Sequence, residues 1–501
     1  MILDELLFMS SDQIKLEVYR SLSIRKKGVY RLDELMEKHF LNYHQITKIL
    51  QEIMEEVNDE GEVALSIGNG KMTIRECLPK IDEYRLLLSE NSIPFQFIYH
   101  TLLGVNWTID DFCEHYGFAR STVSRKLTPL IRFLDKYHLT VQYHPISICG
   151  NEVNIRLFYT YVFWLVYRGN EWPFEEVKQE RLLRQQQELF HLFDFPNSYV
   201  LNERLLYAQA VASYRLQNHH VIASNEIWRE FFEKNVMHKL KKEQFNQFLA
   251  TQNLPREELE YWFFRAFYIG IRRKEFNLLS NNVERSFMLH AGEVGLVELS
   301  KTFLETLVRG GYLKKVSVDT QQALFLHMNA LFMCFQFFQG NYIFLEDLSV
   351  SLDTKNSAYK AIVKLVDEFY TEKVSVSRVF AREVTREVFV NRMSALLHCY
   401  LLQEIEANLK ITVAVCGELE QLSFRRLNTW LKNFGCLEVV EYSAEKITGV
   451  DFLISTSSAV LNKHPEIAGF QWELEYGLNE YYRLYDCLFH LAEKKALEEV
   501  L

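Results

Sequence analysis

Proline and glycine are scarce, 8 and 19 of 501 residues. Both interrupt regular structure, so their scarcity leaves room for long helices. Cysteine is sparse too: Cys77, Cys113, Cys149, Cys334, Cys399, Cys416, Cys436 and Cys487, with no C-x-x-C among them. That argues against zinc sites and redox dithiols and fits reduced thiols in the cytoplasm. Basic residues are outnumbered, 56 Lys and Arg against 66 Asp and Glu, for a net charge of −10. So acidic a chain is a poor general binder of polyanions, and any nucleic-acid surface on it has to be local. No apolar run reaches the roughly 20 residues that cross a bilayer. The most apolar stretches, Leu157–Tyr167 and Ala323–Phe338, read as buried helices, and no membrane partner is expected. The opening MILDELLFMSSDQIK has no basic leader and no sustained apolar core, so no signal peptide is read there. P-loop, G-x-S-x-G and H-E-x-x-H patterns are missing, and no nucleophile stands with its base. Neither enzymatic activity nor a metal or cofactor is expected.

Hydrophobic residues make up 48% of the chain and aromatics 14%, enough for several packed cores. At roughly 100–200 residues per domain, the length implies about three to five domains. Apolar spacings of three and four dominate, so the fold class is mainly α and multidomain. Strand signals are few. Gly61–Ile74 reads as a hairpin around Gly68-Asn69-Gly70, and Leu139–Ile155 as another. Near the end, Lys410–Gly417, Leu437–Tyr442 and Asp451–Thr456 are strand-like, with a helix-like stretch between the first two. That β-α-β-β start predicts a small C-terminal α/β domain.

The sharpest local pattern is FCEHYGFARSTVSRKL, Phe112–Leu127. Gly117 stands at a turn between two amphipathic helices. Cys113 is small enough for close helix approach, and Val123, Leu127, Leu130 and Leu134 form one apolar stripe. Arg120, Ser121, Thr122, Ser124, Arg125 and Lys126 occupy the other side. Between Phe118 and Lys136, five basic residues face only Asp135. In a helix-turn-helix the second helix lies in the major groove with its first residues over base edges. Arginine reads guanine there, while hydroxyls and lysine serve bases or phosphates. The hairpin that follows would be a wing. Pro129 removes an amide donor and predicts a kink, ending the groove-facing part near Leu127. The competing reading is a helical hairpin that only packs. An earlier segment, Leu32–Leu50, has the same rhythm with Phe40 at the turn and with Asn42, Tyr43, His44, Gln45, Thr47 and Lys48 on its second helix. It reads as a first winged helix giving auxiliary backbone contacts, or as a structural support.

Two winged helices, a long helical middle and an α/β tail resemble the Mga/AtxA-type virulence regulators of Gram-positive bacteria. The motif CEHYGFARSTVSRKL and the wing ending in CGNEVNIR, Cys149–Arg156, carry the resemblance. It implies a DNA-binding transcriptional activator that dimerises through its C-terminal region. It further implies that the middle is two helical-bundle phosphotransferase-system regulation domains and the tail is similar to a IIB component (EIIB-like). The expected division is 1–80 and 81–165 for the two winged helix-turn-helix domains, 166–284 and 285–406 for the regulation domains, and 407–501 for the tail. In regulation domains a histidine stands about seven residues before an arginine. The first copy has Ala208 before Arg215, and the second has His327 before Cys334. His398 matches the second acceptor position, whereas Tyr261–Ile271 of the first module supplies no histidine. His327 and His398 are thus the candidate phosphorylation sites, with a phosphohistidine carrier as donor; packed core histidines are the competing reading. Cys416 stands where IIB enzymes carry a phosphocysteine, but Glu418 and Glu420 in the following loop would repel phosphate. The expected function is sequence-specific binding of double-stranded promoter DNA by a homodimer. The alternatives are a phosphocarrier or IIB-type component relaying through Cys416 or His327, and an RNA-binding antiterminator.

Overall fold

A computed structural model describes residues 2–58, 64–193, 199–234, 243, 247, 254–258, 260–262, 295–314, 316–338, 340–349, 357–377, 384–417, 422–443, 447–472 and 478–500. Helices dominate, with three small sheets among these residues. The chain divides into two compact units. The first takes in the described residues of Met1–Ile271 and of Gly340–Ser351; the second takes in those of Phe287–Gln339 and Leu352–Leu501.

The first unit begins with α1 (Ile2–Leu7), α2 (Ser10–Ser23), β1 (Gly28–Arg31), α3 (Asp33–His39), α4 (Tyr43–Val57), β2 (Leu65–Gly68) and β3 (Lys71–Ile74). Asn69 and Gly70, both at positive φ, form the two-residue turn that the Gly68-Asn69-Gly70 sequence predicts. The sheet has the antiparallel order β1-β3-β2. Strand β1, only four residues of GVYR, was not expected. Phe40 closes α3 in the left-handed region (φ 52), and Asn42 caps α4 in a reciprocal box with Gln45. Leu35, Ile46, Leu50 and Ile53 fill the core beneath. The segment is a winged helix-turn-helix.

The second winged helix uses α5 (Ile81–Glu90), α6 (Ile93–Leu103), α7 (Ile109–Tyr116), α8 (Arg120–Asp135), β4 (Thr140–Tyr143) and β5 (Ile146–Cys149). Its hairpin is shorter than the sequence suggests. Pairing stops at Thr140↔Cys149, and the Asn151 side chain accepts the amides of Val153 and Asn154. That N-cap turns NEVNIR into the start of α9 (Glu152–Tyr167), because a helix cap satisfies amides that a longer wing would leave without ladder partners. As expected, Leu157–Tyr167 is buried throughout. Helices α10 (Gln179–Phe193), α11 (Tyr199–Gln217) and α12 (Glu226–Lys234) follow, with α11 packed along α9.

In the second unit α13 (Leu296–Arg309) packs on α14 (Val318–Phe337), whose first turn Ser317 caps. The next helix, α15 (Leu345–Ser349), belongs to the first unit, where it lies against α1 and α9. Helices α16 (Ser357–Phe369) and α17 (Arg386–Asn408) complete this part of the second unit, and Ala323–Phe338 is largely core, as expected. The tail holds β6 (Ile411–Cys416), α18 (Leu422–Leu431), β7 (Leu437–Glu441), β8 (Phe452–Ser455), α19 (Ser458–Leu461), β9 (Ala468–Gln471) and α20 (Leu478–Val500). All strands are parallel, in the order β7-β6-β8-β9. The β-α-β-β start is thus present, and β6 and β8 are buried as central strands should be.

Gly104 and Gly117 end α6 and α7 at φ 72 and 68. A Cβ on Gly117 would meet nothing within 4 Å, whereas one on Gly104 would fall 2.4 Å from the Asn218 amide, which donates to the Leu103 carbonyl at 3.2 Å. Gly117→Ala is expected to cost about 1–2 kcal/mol through backbone conformation alone. Gly104→Ala should cost a further 0.5–1.5 kcal/mol or so, the worth of the displaced hydrogen bond. Denaturant melting of the two variants checks the order.

Candidate nucleic-acid interface

The α7–α8 pair is built from local rules. Thr108 and Asp111 cap α7 reciprocally, and the Thr108 amide and hydroxyl hold the Asp111 carboxyl below its ordinary range. At the other end, Phe118 N–H donates to the Cys113 carbonyl (2.9 Å) and Gly117 N–H to that of Glu114 (3.2 Å). This is a Schellman closure, for which glycine is the favoured residue. It turns the chain sharply into α8. Cys113 is buried at the turn, and burial pushes its thiol up.

Val123, Leu127, Leu130 and Leu134 are all fully buried, as the stripe predicts. The six expected residues lie off that stripe, spread over the rest of the helix circumference, with Ser121 and Arg125 opposite it. Arg120, Ser121, Ser124 and Arg125 are exposed; Thr122 and Lys126 are half-buried. No side chain caps the α8 N-terminus, so its first amides keep the positive end of the helix open. Arg120 reaches back to Asp110 at 3.1 Å, an exposed pair of small net worth that a phosphate can displace. Arg125, Lys126 and Arg132 have no carboxylate within 4.0 Å among the described residues, although Arg125 and Lys126 share a cleft of about 210 Å³ with Glu5, Asp12, Lys15 and Glu56. Pro129 does not end the helix. Helix α8 runs through it to Asp135. Pro129 is exposed, so water can take the Arg125 carbonyl that loses its helical donor, and the break is avoided.

The wing is pinned from a direction that sequence spacing does not show. Ile146 N–H donates to the Trp107 carbonyl at 2.7 Å, and Ile146 and Ile148 are buried. Thr140, Gln142, His144 and Pro145 stay exposed. Trp107 also packs against both His100 (ring centroids 4.5 Å apart) and His115 (4.8 Å). His100 Nε2 meets the Tyr116 hydroxyl at 2.9 Å, and that hydroxyl donates to Gln96 Oε1. Nothing in the sequence flagged Trp107 beyond its being an aromatic near a helix start.

The first winged helix presents Asn42, Tyr43, His44, Gln45 and Lys48 on its surface, with Thr47 half-buried and Phe40 95% exposed. Its second helix, α4, carries Lys48 against Glu52, Glu55 and Glu56, whereas α8 carries Arg120, Arg125, Lys126 and Arg132 against Asp135. Polyanion attraction therefore favours α8.

In the second unit His327 is buried on α14, with its Nδ1 bonded to the Tyr400 hydroxyl of α17. His398, two positions before Tyr400, is half-buried edge-on against Tyr359, and burial lowers its pKa. Its Nε2 has no hydrogen-bond partner. Cys416 ends β6 beside Ser455 of β8; the loop Glu418–Glu420 lies outside the described residues, as does most of Tyr261–Ile271. His219 and His220 are exposed at the end of α11. Among the described residues no side-chain group is arranged to hold a metal ion, and no helix is long and apolar enough to cross a membrane.

Winged helices with an uncapped cationic second helix define a DNA-binding helix-turn-helix regulator as the class. Residues 80–163 match the family model of the Mga helix-turn-helix domain. The chain is also similar to the capsule synthesis positive regulator AcpB of Bacillus anthracis, 21% identical over 462 residues, covering 87% of this chain and 91% of that protein. The chain thus resembles the Mga/AtxA-type transcriptional regulators, and its helix-turn-helix domain carries the likeness.

Burial, with a smaller contribution from His115, pushes His100 below its ordinary value of 6.5. A histidine lowered in the folded state stabilises the fold fully above the unfolded pKa and loses that contribution as pH falls below it. The second winged helix should therefore lose stability below about pH 6.5, and His100→Phe, which keeps the stack on Trp107, should shallow that loss. Thermal melting between pH 5 and 8 checks both.

Proposed function

We propose that the protein is a cytoplasmic, sequence-specific activator of transcription that binds promoter DNA as a homodimer. The observation that carries this reading is α8: four buried residues fix the helix, and Arg120, Ser121, Thr122, Ser124, Arg125 and Lys126 all lie off that buried stripe, exposed or half-exposed. Arg120 and Ser121 open the helix and read base edges; Arg125 and Lys126 hold bases or phosphates. The first winged helix adds backbone contacts through Asn42, His44 and Lys48. Activation follows the sign in the name of the positive regulator it resembles.

The five-part division at 80, 165, 284 and 406 goes with this reading. The two helical modules act as phosphotransferase-system regulation domains, and the α/β tail as a dimerisation module that has kept a IIB-like fold. His398, whose buried Nε2 is unpartnered, is the phosphoryl acceptor once the helices around it part; His327 is the second, and a phosphohistidine carrier is the donor. The phosphoryl group brings close to two negative charges into an apolar helix pair, which repacks it.

Arg125→Ala combined with Lys126→Ala should weaken promoter binding by about 100-fold, as expected for two lost contacts of 1–3 kcal/mol each. If both contacts are to phosphates, the slope of log affinity against log salt should shrink by about 2. Gel-shift titration across salt, with circular dichroism to confirm folding, is the measurement. Unchanged affinity in the folded double variant would remove α8 from the interface.

A further inference from the structure

The first turn of α9 follows the wing directly, and three of its side chains each reach a different stretch of chain. Arg156 is 1% exposed and donates to both oxygens of Glu258, which is 0% exposed, at 2.6 and 2.8 Å. The same guanidinium bonds the His220 carbonyl (2.9 Å) and Glu152 (2.9 Å). Glu152 also takes Arg215, the last arginine of α11, at 2.7 and 3.0 Å. Buried Asn154 makes a two-point clasp: its amide donates to the Asn341 carbonyl (2.8 Å), and its oxygen accepts Ile343 N–H (3.1 Å). Asn341 in turn donates to the Lys136 carbonyl, one residue past α8, at 3.1 Å. Tyr342, Ile343 and Leu348 bury beside these bonds. In sequence, the clasped segment is flanked on both sides by residues of the second unit.

We propose that this turn, Asn151–Arg156, is a coupling node through which the helical regions set the order of the wing and of the α8 C-terminus. One input is the end of α11 with Glu258; the other is the clasp at Asn341–Ile343. A helix turn is stiff, and the wing ends two residues before it, at Cys149. Withdrawal of the clasp leaves the Asn154 amide buried without partners, a state the turn can relieve only by opening. Opening frees β5 and the end of α8 together and weakens DNA binding. The proposal rests on α8 as the DNA reader.

Hydrogen exchange of the full chain, read by mass spectrometry beside promoter titration, tests it. Asn154→Ala should speed amide exchange across Thr140–Cys149 about tenfold and weaken promoter binding about tenfold. Gln187→Ala, at an exposed position of α10 in the same unit, should change neither. If Asn154→Ala does not fold, Asn341→Ala, which removes the bond to Lys136 and keeps the main-chain partners of Asn154, takes its place; it should speed exchange in Tyr137–Leu139 and weaken binding at least threefold. Wing exchange unchanged in folded Asn154→Ala, or Tyr137–Leu139 exchange unchanged in Asn341→Ala, overturns the node. Faster exchange at unchanged affinity overturns its link to DNA. If Arg125→Ala with Lys126→Ala also leaves affinity unchanged, the fault lies in the assignment of α8 rather than in the node.

Discussion

A guanidinium and a carboxylate buried together stand at the start of α9, and the first unit is arranged around them. Burial works against the charge of Arg156, yet Glu258 and Glu152 outweigh it and raise its pKa above the ordinary value. Such a pair adds little net stability over apolar residues of the same size. Its force is conditional: with one partner gone, the other is a stranded charge costing about 3–5 kcal/mol. That is a large share of the roughly 5–15 kcal/mol by which a domain is stable. The end of α11, Glu258 and the turn after the wing must therefore be in place together or not at all. A second polar core repeats the logic near the N-terminus, where buried Lys15 bonds Glu56 at 2.5 Å and Arg85 bonds Asp4 at 3.1 Å.

Charge is also what separates the two winged helices. They share a plan: helix, tight turn with a left-handed residue, capped or opened second helix, antiparallel wing. They differ in what the second helix offers a polyanion. On α8 Arg125 and Arg132 stand opposite the buried stripe with Arg120 and Lys126 at its flanks, and three of the four have no carboxylate within 4.0 Å among the described residues. On α4 the single lysine is followed by three glutamates, one of which, Glu52, lies 4.0 Å from it. In a molecule of net charge −10 such local asymmetry decides which surface a duplex approaches. The left-handed residues differ as well. Gly117 takes its conformation at little cost, whereas Phe40 holds φ 52 with its ring in solvent.

Much of this was legible in the residues. The helix-turn-helix at Phe112–Leu127 could be read because glycine, a helix start and an apolar stripe each obey local rules that agree. The Asn69-Gly70 turn and the β-α-β-β tail were legible for the same reason. What escaped was set by neighbours distant in sequence. Strand β1 is too short to show alternation and exists because β3 pairs with it. The wing stops early because Asn151 caps a helix that α11 and α5 bury. Pro129 predicts a kink in isolation, but α8 runs on through it to Asp135. Trp107 holds the wing through a backbone carbonyl, which no side-chain pattern reports.

By itself the sequence determined the helical class, the order of the parts and the face of α8 that carries its cations. Those follow from periodicity, capping and turn chemistry, which act over a few residues. Only the tertiary structure decided which of those cations stand free of carboxylate partners, how far α8 extends, and that Gly340–Ser351 joins the first unit while its sequence neighbours join the second. The physical reason is range. Burial and buried hydrogen bonds pair residues such as Asn154 and Asn341, 187 positions apart, and a linear pattern carries no record of such a meeting.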